Sequence, residues 1–243
     1  MRAILTYHSI DRTGSVISVT PEDFATHVAW AASGAVQVTS VEELLTLPED
    51  TNAVAITFDD ALASVATEAA PRLADHGLAA TVFVVSQHAG RDNRWGGKAS
   101  DLVPTAPILD WDALGTLAES GWTIGSHTEH HPRLSTCAEA ELEDELAGSA
   151  ATIAERMGTR PRTFAYPYGD TSPRVRAAVA RHYSVACSTS YRPVTSTTDP
   201  LDVPRLDAWY FRGREPFRGW GTPRFRRAVA WRHTLRQARR MWA

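Results

Sequence analysis

Residues 53–60 read Ala-Val-Ala-Ile-Thr-Phe-Asp-Asp, an apolar run that ends in two adjacent carboxylates. A run this short and apolar, with β-branched and aromatic residues, predicts a strand buried on both faces, as in parallel sheets. A helical pattern follows over residues 62–76 and stops at Gly77, and a second apolar run covers residues 80–85. Strand, helix and strand in this order predict a βα unit.

The same alternation extends along the chain in both directions. Further strands are predicted at 3–7, 36–39, 123–125, 163–166 and 184–188, and helices at 21–34, 41–47, 111–120, 138–157 and 173–182. This order predicts an α/β domain whose parallel strands close into a barrel-like sheet. Functional residues of such folds lie at the carboxyl ends of the strands, and the polar clusters of this sequence fall there.

Of the 243 residues, 43% are hydrophobic, which is enough to form one large core. Charge is unevenly distributed along the chain. Residues 212–243 hold ten arginines and one acidic residue, which leaves 15 basic against 27 acidic residues in the rest, about −12. No signal-like segment opens the sequence and no apolar run reaches the length of a membrane span. The expected location is therefore the cytoplasm, or the inner face of the membrane as a peripheral protein.

The pair Asp59-Asp60 has two interpretations. Adjacent carboxylates repel each other, and the pair is tolerable when one binds a cation while the other stays free to take a proton. Alternatively, the two residues cap the following helix, whose N-terminal dipole favours negative charge.

Three histidines fall within five positions in the stretch Gly125-Ser-His-Thr-Glu-His-His-Pro132, directly after a predicted strand. His127 and His131 can converge on one metal ion, because neutral imidazole is a good ligand for zinc. The alternative is a polar loop of solvated histidines. Together with the acidic pair, the stretch favours an Asp-His-His site with open coordination positions, as catalytic metal ions have.

Three motifs follow one another along the sequence: Thr-Phe-Asp-Asp at 57–60, His-Thr-x-x-His-Pro at 127–132 and Phe-Ala-Tyr-Pro-Tyr-Gly at 164–169. The sequence resembles the polysaccharide deacetylase family, the NodB-homology group also called carbohydrate esterase family 4. Leu-Thr-Tyr-His-Ser-Ile at 5–10 and Pro-Arg-Leu at 204–206 resemble its exopolysaccharide-deacetylase branch. The resemblance implies a distorted (β/α) barrel of about seven parallel strands. We therefore expect a catalytic domain over residues 1–211 and a basic amphipathic segment over 212–243.

The resemblance also implies roles for individual residues. Asp60, His127 and His131 would bind one divalent metal ion, with zinc expected. Asp59 would be the general base that takes a proton from the attacking water. Tyr168 would line the sugar site, and Thr128 would steady the loop that carries the histidine ligands.

The sequence departs from the family pattern at two functional positions. Ala165 stands where many members have an arginine that holds the base, so Arg162 or Arg205 is expected to take that place, if any residue does. The late Leu-x-His motif, which supplies the general acid in many members, is absent. His8 ends the first predicted strand and, in a closed barrel, can occupy the same place from the other terminus, so we expect it to be the acid. The alternative for His8 is a buried structural histidine.

Removal of an N-acyl group, expected to be acetyl, from an amino sugar is the activity that the resemblance implies. Trp209 is expected at the rim of the sugar site. Two alternatives remain open: a metal-dependent hydrolase of another small amide, such as a formyl group or a cyclic amide, and an inactive sugar-binding relative. No nucleic-acid partner is expected.

Residues 222–242 predict a helix that begins with Thr222 as N-cap and Pro223 at the first position. Apolar residues recur at spacings of three or four, which is one helical face, and arginines fill most of the rest. The apolar positions are Phe225, Ala228, Trp231, Leu235, Ala238 and Trp242. The pattern suits an interfacial helix on an anionic membrane, or a helix packed on the acidic body of the protein itself.

Overall fold

The structure is a computed structural model, which describes residues 1–97, 102–213 and 215–241. Within these residues, ten strands alternate with seven α-helices. The strands are β1 (Arg2–Tyr7), β2 (Ser9–Ile10), β3 (Ser18–Val19), β4 (Gln37–Val38), β5 (Ala53–Phe58), β6 (Thr81–Val84), β7 (Thr123–Ser126), β8 (Thr163–Ala165), β9 (Val185–Cys187) and β10 (Leu206–Asp207). The helices are α1 (Pro21–Ala32), α2 (Val41–Thr46), α3 (Ala70–Ala74), α4 (Trp111–Glu119), α5 (Glu139–Met157), α6 (Pro173–Val179) and α7 (Pro223–Met241).

Seven parallel strands form the sheet in the order β10-β1-β5-β6-β7-β8-β9, and β4 pairs with the amino end of β5. The segment that leads into β10 joins the two ends of this path. Val203 forms a parallel bridge with Cys187 of β9, and Leu206 pairs with Leu5 of β1. The sheet therefore curls into the distorted α/β barrel that was expected from the sequence.

Strand β5 lies inside this sheet, between β1 and β6, and every one of its residues is buried. Its neighbour β1 pairs with it in register along its whole length, from Arg2 opposite Ala53 to Tyr7 opposite Phe58. Apolar residues on both faces contact the barrel interior and the surrounding helices, which is the environment that the uninterrupted apolar sequence predicts.

The helix predicted over residues 62–76 is shorter and irregular. It begins with a π-helical turn over Val65–Ala69 and continues as α3. Pro71 explains the irregular start, because proline has no backbone N–H to donate and so removes one bond of a regular helix. The short parallel pair β2–β3 and the two-residue β10 were not predicted, since segments of two residues show no periodicity.

Helix α7 packs on the barrel. The Thr222 hydroxyl accepts a hydrogen bond from the Phe225 N–H at 3.3 Å, as the predicted N-cap requires. The Phe225 ring lies 5.2 Å from that of Trp220, and Val229 is buried in the same core as the strands. Within the described part of the chain, no helix is long and apolar enough to cross a membrane.

The single apolar face predicted for this helix is divided in the structure. Phe225 points to the barrel, whereas Trp231 and Leu235 are exposed. The packing stripe continues instead through Val229 and Arg236, because these positions follow Phe225 at helical spacing. Trp242 lies outside the described residues.

Candidate metal centre and active site

The carboxyl ends of four strands of the barrel carry the polar residues that the sequence singled out. His8 follows β1, Asp59 and Asp60 follow β5, His127 follows β7, and Tyr168 follows β8 in a short turn. All five line one cavity of about 250 Å³. The parallel arrangement brings them together because all these strands end at the same edge of the barrel.

Asp60, His127 and His131 are buried, and one ligand atom from each lies within 4.8 Å of the other two. Asp60 Oδ1 is 3.5 Å from His127 Nε2 and 3.4 Å from His131 Nε2. Two ligands of one tetrahedral zinc, each about 2.0–2.2 Å from the ion, are separated by about 3.4 Å. Asp60 Oδ1 is buried without a hydrogen-bond partner among the described residues, which a cation would remedy. The three residues therefore fit a divalent metal ion.

The two histidine ligands are held in different ways, His127 by a bond from its ring to the backbone and His131 by a bond from its own backbone N–H. His127 Nδ1 lies 2.7 Å from the carbonyl oxygen of Ala165, so this nitrogen carries the proton and the Nε2 lone pair is left for a metal. The Thr128 hydroxyl accepts a hydrogen bond from the His131 N–H at 2.9 Å. Thr128 thus occupies a position suited to steadying the ligand loop, the role expected of it.

Glu145, on α5, was not identified from the sequence, and it binds the loop that carries His127 and His131. One carboxylate oxygen of this buried residue accepts hydrogen bonds from the backbone N–H groups of Glu129 and His130, each at 2.9 Å. The other oxygen lies 2.8 Å from His130 Nδ1. Glu145 therefore fixes the backbone between the two ligand histidines, although it follows His131 by fourteen positions and lies on a different element.

Replacing Glu145 by Ala is expected to leave two loop N–H groups without an acceptor. The free energy of unfolding should fall by about 1–3 kcal/mol. Zinc affinity should also fall, by at most the roughly 10–100-fold that losing a direct partner of a metal ligand costs, because Glu145 holds the loop and not a ligand itself. Urea unfolding and calorimetric zinc titration measure the two effects. Glu143→Ala is the matched control, because Glu143 lies on the same helix but bonds Arg181 and His182 at the surface. Equal zinc affinity in both variants would contradict this role for Glu145.

Asp59 forms a buried, two-pronged ion pair with Arg205. The Arg205 Nη1 and Nη2 atoms donate to Asp59 Oδ1 and Oδ2, both at 2.7 Å. Burial alone raises the pKa of the Asp59 carboxyl, but the adjacent guanidinium outweighs it and holds this pKa well below its usual range. Asp59 is therefore an anion at neutral pH, and Arg205 makes the contact with Asp59 that was expected of it from the sequence.

Arg162, the other candidate for holding the base, is not near the site. It precedes β8 and therefore lies at the amino end of the barrel, where its Nε is 2.9 Å from a Glu42 carboxylate oxygen. The prediction for Arg162 is wrong because the residue lies before its strand, whereas the site lies beyond the carboxyl ends of the strands.

Two aromatic side chains enclose the His131 ring. The Trp95 ring stacks on it at 4.4 Å between centroids, and the Tyr168 ring meets it edge-on at 4.6 Å. Trp95 was not identified from the sequence, since it lies in an irregular segment without a motif. Tyr168 remains 47% exposed, so it is available at the cavity mouth for a sugar ring.

His8 lies in the cavity beside Asp59, with its Nε2 3.8 Å from Asp59 Oδ2. The expected position of His8 is thus observed, and its role as acid stays a prediction. Trp209 follows β10 and is not among the described residues that line the cavity; the Arg212 guanidinium lies 4.0 Å from its ring centre. Its place at the rim of the sugar site also stays a prediction.

Backbone strain is concentrated in the loops of this site. Among the described residues other than glycine, a positive φ occurs only at Asp60, Ala61, Thr128, His131 and Tyr168. Such conformations cost of order 1–3 kcal/mol each and persist where surrounding packing enforces them, which happens most often at functional sites. Gly169, with φ of 65°, completes the Tyr168 turn, because a Cβ there would lie 2.0 Å from the Thr189 hydroxyl.

Comparison with known proteins decides the family. Residues 47–185, more than half of the chain, match the sequence profile described as polysaccharide deacetylase. The chain belongs to the polysaccharide deacetylase family. The motifs at 57–60, 127–132 and 164–169 all lie inside the matched region.

Two curated relatives illustrate the range of this family. A protein of Bacillus subtilis that carries the name polysaccharide deacetylase YxkH is 26% identical over 192 residues, which cover 76% of this chain and 63% of that protein. Chitin deacetylase 1 of Cryptococcus neoformans is 28% identical over 188 residues, or 76% of this chain and 34% of the relative. The chain therefore spans less than two thirds of the length of either relative.

Solved structures share the fold. IcaB from Ammonifex degensii superposes with a TM-score of 0.71 at 22% identity, over 86% of this chain and 93% of that one. The deacetylase PplD of Streptococcus pyogenes, solved with acetate, gives a TM-score of 0.72 at 20% identity, over 84% and 91% of the two chains. At these identities the likeness establishes the barrel architecture.

Proposed function

We propose that this chain catalyses metal-dependent hydrolysis of an N-acyl amide, expected to be N-acetyl, on an amino sugar. The observation that carries the proposal is the convergence of Asp60, His127 and His131 beside the ion-paired Asp59 in one cavity. An Asp-His-His set leaves coordination positions open, as hydrolytic metal sites require. A divalent ion held there, with zinc expected, supplies Lewis acidity to the reaction.

The side chains of the cavity supply the proton transfers. Asp59, kept ionised by Arg205, accepts a proton from the attacking water. His8 donates a proton to the leaving amine nitrogen, so that the sugar departs as a neutral amine. A backbone N–H near Tyr168 stabilises the negative charge that develops on the carbonyl oxygen.

The size and lining of the cavity suit a single sugar residue as the bound group. A volume of about 250 Å³ is just below the range of about 300–1,000 Å³ typical of sites for small molecules, so the rest of a glycan would lie outside. The exposed Tyr168 ring offers a surface on which a sugar can pack. We propose a glycan, a glycolipid precursor or a small glycoside as the carrier of the amino sugar.

Acetate release from a panel of N-acetylated sugars, oligomeric, lipid-linked and simple glycosides, tests the proposed function on zinc-loaded protein. We expect release from at least one class, and release slowed by about 10²–10⁴-fold in the Asp59→Asn protein. Release of formate from N-formyl compounds alone, or opening of cyclic amides alone, would favour the other hydrolase activities. Binding of amino sugars without release of any acid would favour an inactive sugar-binding relative.

His8→Gln is expected to lower turnover by about 10²–10⁴-fold, because the leaving amine then lacks its proton donor. The loss should be smallest for substrates whose leaving amine is least basic, since these need protonation least. The pH–rate profile of this variant should also differ from that of the unmodified protein on its alkaline side. Turnover and a pH profile like those of the unmodified protein would remove His8 from the reaction and leave it a structural residue.

A further inference from the structure

Helix α7 is rich in arginine and aromatic residues, and only some of them lie on the face that packs against the barrel. Phe225 and Val229 pack in the core, the Arg232 guanidinium lies 4.4 Å from the Tyr210 ring centre, and Arg236 Nη1 is 3.3 Å from Asp207 Oδ2. These positions follow each other at spacings of four, three and four residues, which is one stripe of a helix. The stripe attaches the helix to the barrel.

A second stripe faces solvent. Trp231 is 67% and Leu235 43% exposed, and Ala228 is also exposed. At about 100° per residue, these three side chains lie within roughly 60° of one another, and the centre of this group is about 100° from the centre of the packing stripe. Large exposed apolar side chains one turn apart on the same helix form a patch, whereas single exposed ones are ordinary.

The charge around this patch is strongly positive. Seven arginines and no acidic residue occur in Pro223–Met241. Of those whose side chains are described, only Arg236 forms an ion pair within the described residues. Arg224 and Arg227 are exposed and lie on the same side of the helix as Trp231. The acidic body thus leaves most of this positive charge uncompensated.

We propose that the outer face of α7, defined by Arg224, Arg227, Ala228, Trp231 and Leu235, binds the surface of an anionic lipid bilayer. Tryptophan is favoured at the level of lipid headgroups, and arginine is attracted to their phosphates. The charge distribution favours this occupant, because an anionic surface attracts α7 and repels the acidic body. The chain would therefore bind in one orientation, with the helix towards the lipid.

The position of the helix gives this orientation a consequence for the cavity. Arg236 bonds Asp207, which ends β10, so the C-terminal part of α7 lies at the same end of the barrel as the site. A bilayer in contact with α7 would lie near the cavity mouth, which suits an amino sugar carried on a lipid. This last point rests on the proposed function, whereas the binding of the helix to lipid does not.

Co-sedimentation of the full-length protein with vesicles tests the proposal. Vesicles of phosphatidylcholine with one third phosphatidylglycerol should bind the protein at low salt, and pure phosphatidylcholine vesicles should not. Arg224→Gln combined with Arg227→Gln should weaken binding by about 30-fold, and high salt should weaken it similarly. Trp231→Ala combined with Leu235→Gln should weaken it without changing the charge. Full-length variants are needed, because Phe225 and Val229 belong to the core.

Arg156→Gln combined with Arg160→Gln is the matched control, since both arginines are exposed near the C-terminal end of α5 and the charge change is the same. We expect this protein to bind vesicles like the unmodified one. Negligible binding of the unmodified protein to anionic vesicles would overturn the proposal. Equal loss in the control and α7 variants, or preference for duplex DNA over vesicles, would overturn it too. None of these results depends on whether the chain releases acetate.

Discussion

Asp59→Asn is expected to lower turnover by about 10²–10⁴-fold while the protein still binds zinc. The asparagine side chain cannot accept the proton of the attacking water, but it is not one of the three proposed metal ligands. Metal analysis together with acetate release from the substrate identified in the panel measures both effects. An Asp59→Asn protein with near-normal turnover would remove Asp59 from the reaction.

This substitution also has a structural effect that must be separated from the chemical one. It leaves the buried Arg205 guanidinium without a counter-charge, and breaking a buried pair in this way costs about 3–5 kcal/mol of unfolding free energy. Combining Asp59→Asn with Arg205→Met removes the isolated charge and should recover much of the stability. If turnover recovered as well, the effect of the single substitution would be structural and Asp59 would not be the base.

His127→Ala is expected to abolish both zinc binding and turnover. The loss of affinity should exceed the roughly 10–100-fold that removal of an outer partner costs, because a direct ligand is lost. Metal content after gel filtration and calorimetric zinc titration measure the binding. Circular dichroism of the variant establishes that it is folded.

His130→Ala provides the control for this experiment. His130 lies in the same loop, but its side chain is largely exposed and pairs with Glu145 away from the three ligand atoms. This protein should retain zinc and most of its turnover. Retention of zinc by the His127→Ala protein would show that the ligand set is wrongly assigned, whereas loss in both proteins would point to the loop fold.

The strand that carries the acidic pair was predicted with its observed bounds, 53–58. The position of this strand could be predicted because a fully buried strand has an unbroken apolar sequence. The polar residues that follow it mark the edge of the sheet. The three proposed metal ligands and Asp59 could be located for the same reason. Each directly follows a strand or lies in the loop after it, so local sequence was sufficient.

Partners that come from distant parts of the chain could not be located in this way. Arg205 reaches Asp59 across 146 positions, and Glu145 reaches the ligand loop from a separate helix. Periodicity and motif spacing describe neighbours along the chain and contain no information on which distant side chains meet. The choice between Arg162 and Arg205 was open for that reason. Trp95 was missed because stacking on a histidine requires no particular sequence pattern.

The late position of Arg205 in the chain has a consequence for the order of folding. The proposed ligands Asp60, His127 and His131, and the groups that orient them on Glu145 and Ala165, all precede Arg205 by at least forty positions, so they can gather before the barrel closes. The pair between Asp59 and Arg205 forms only after the segment at 203–207 has returned to β1. This step is slow because it closes a long loop, which costs conformational entropy. We expect a nascent or partly folded chain to capture zinc before it acquires an anchored base. Metal uptake during refolding should therefore precede the appearance of activity.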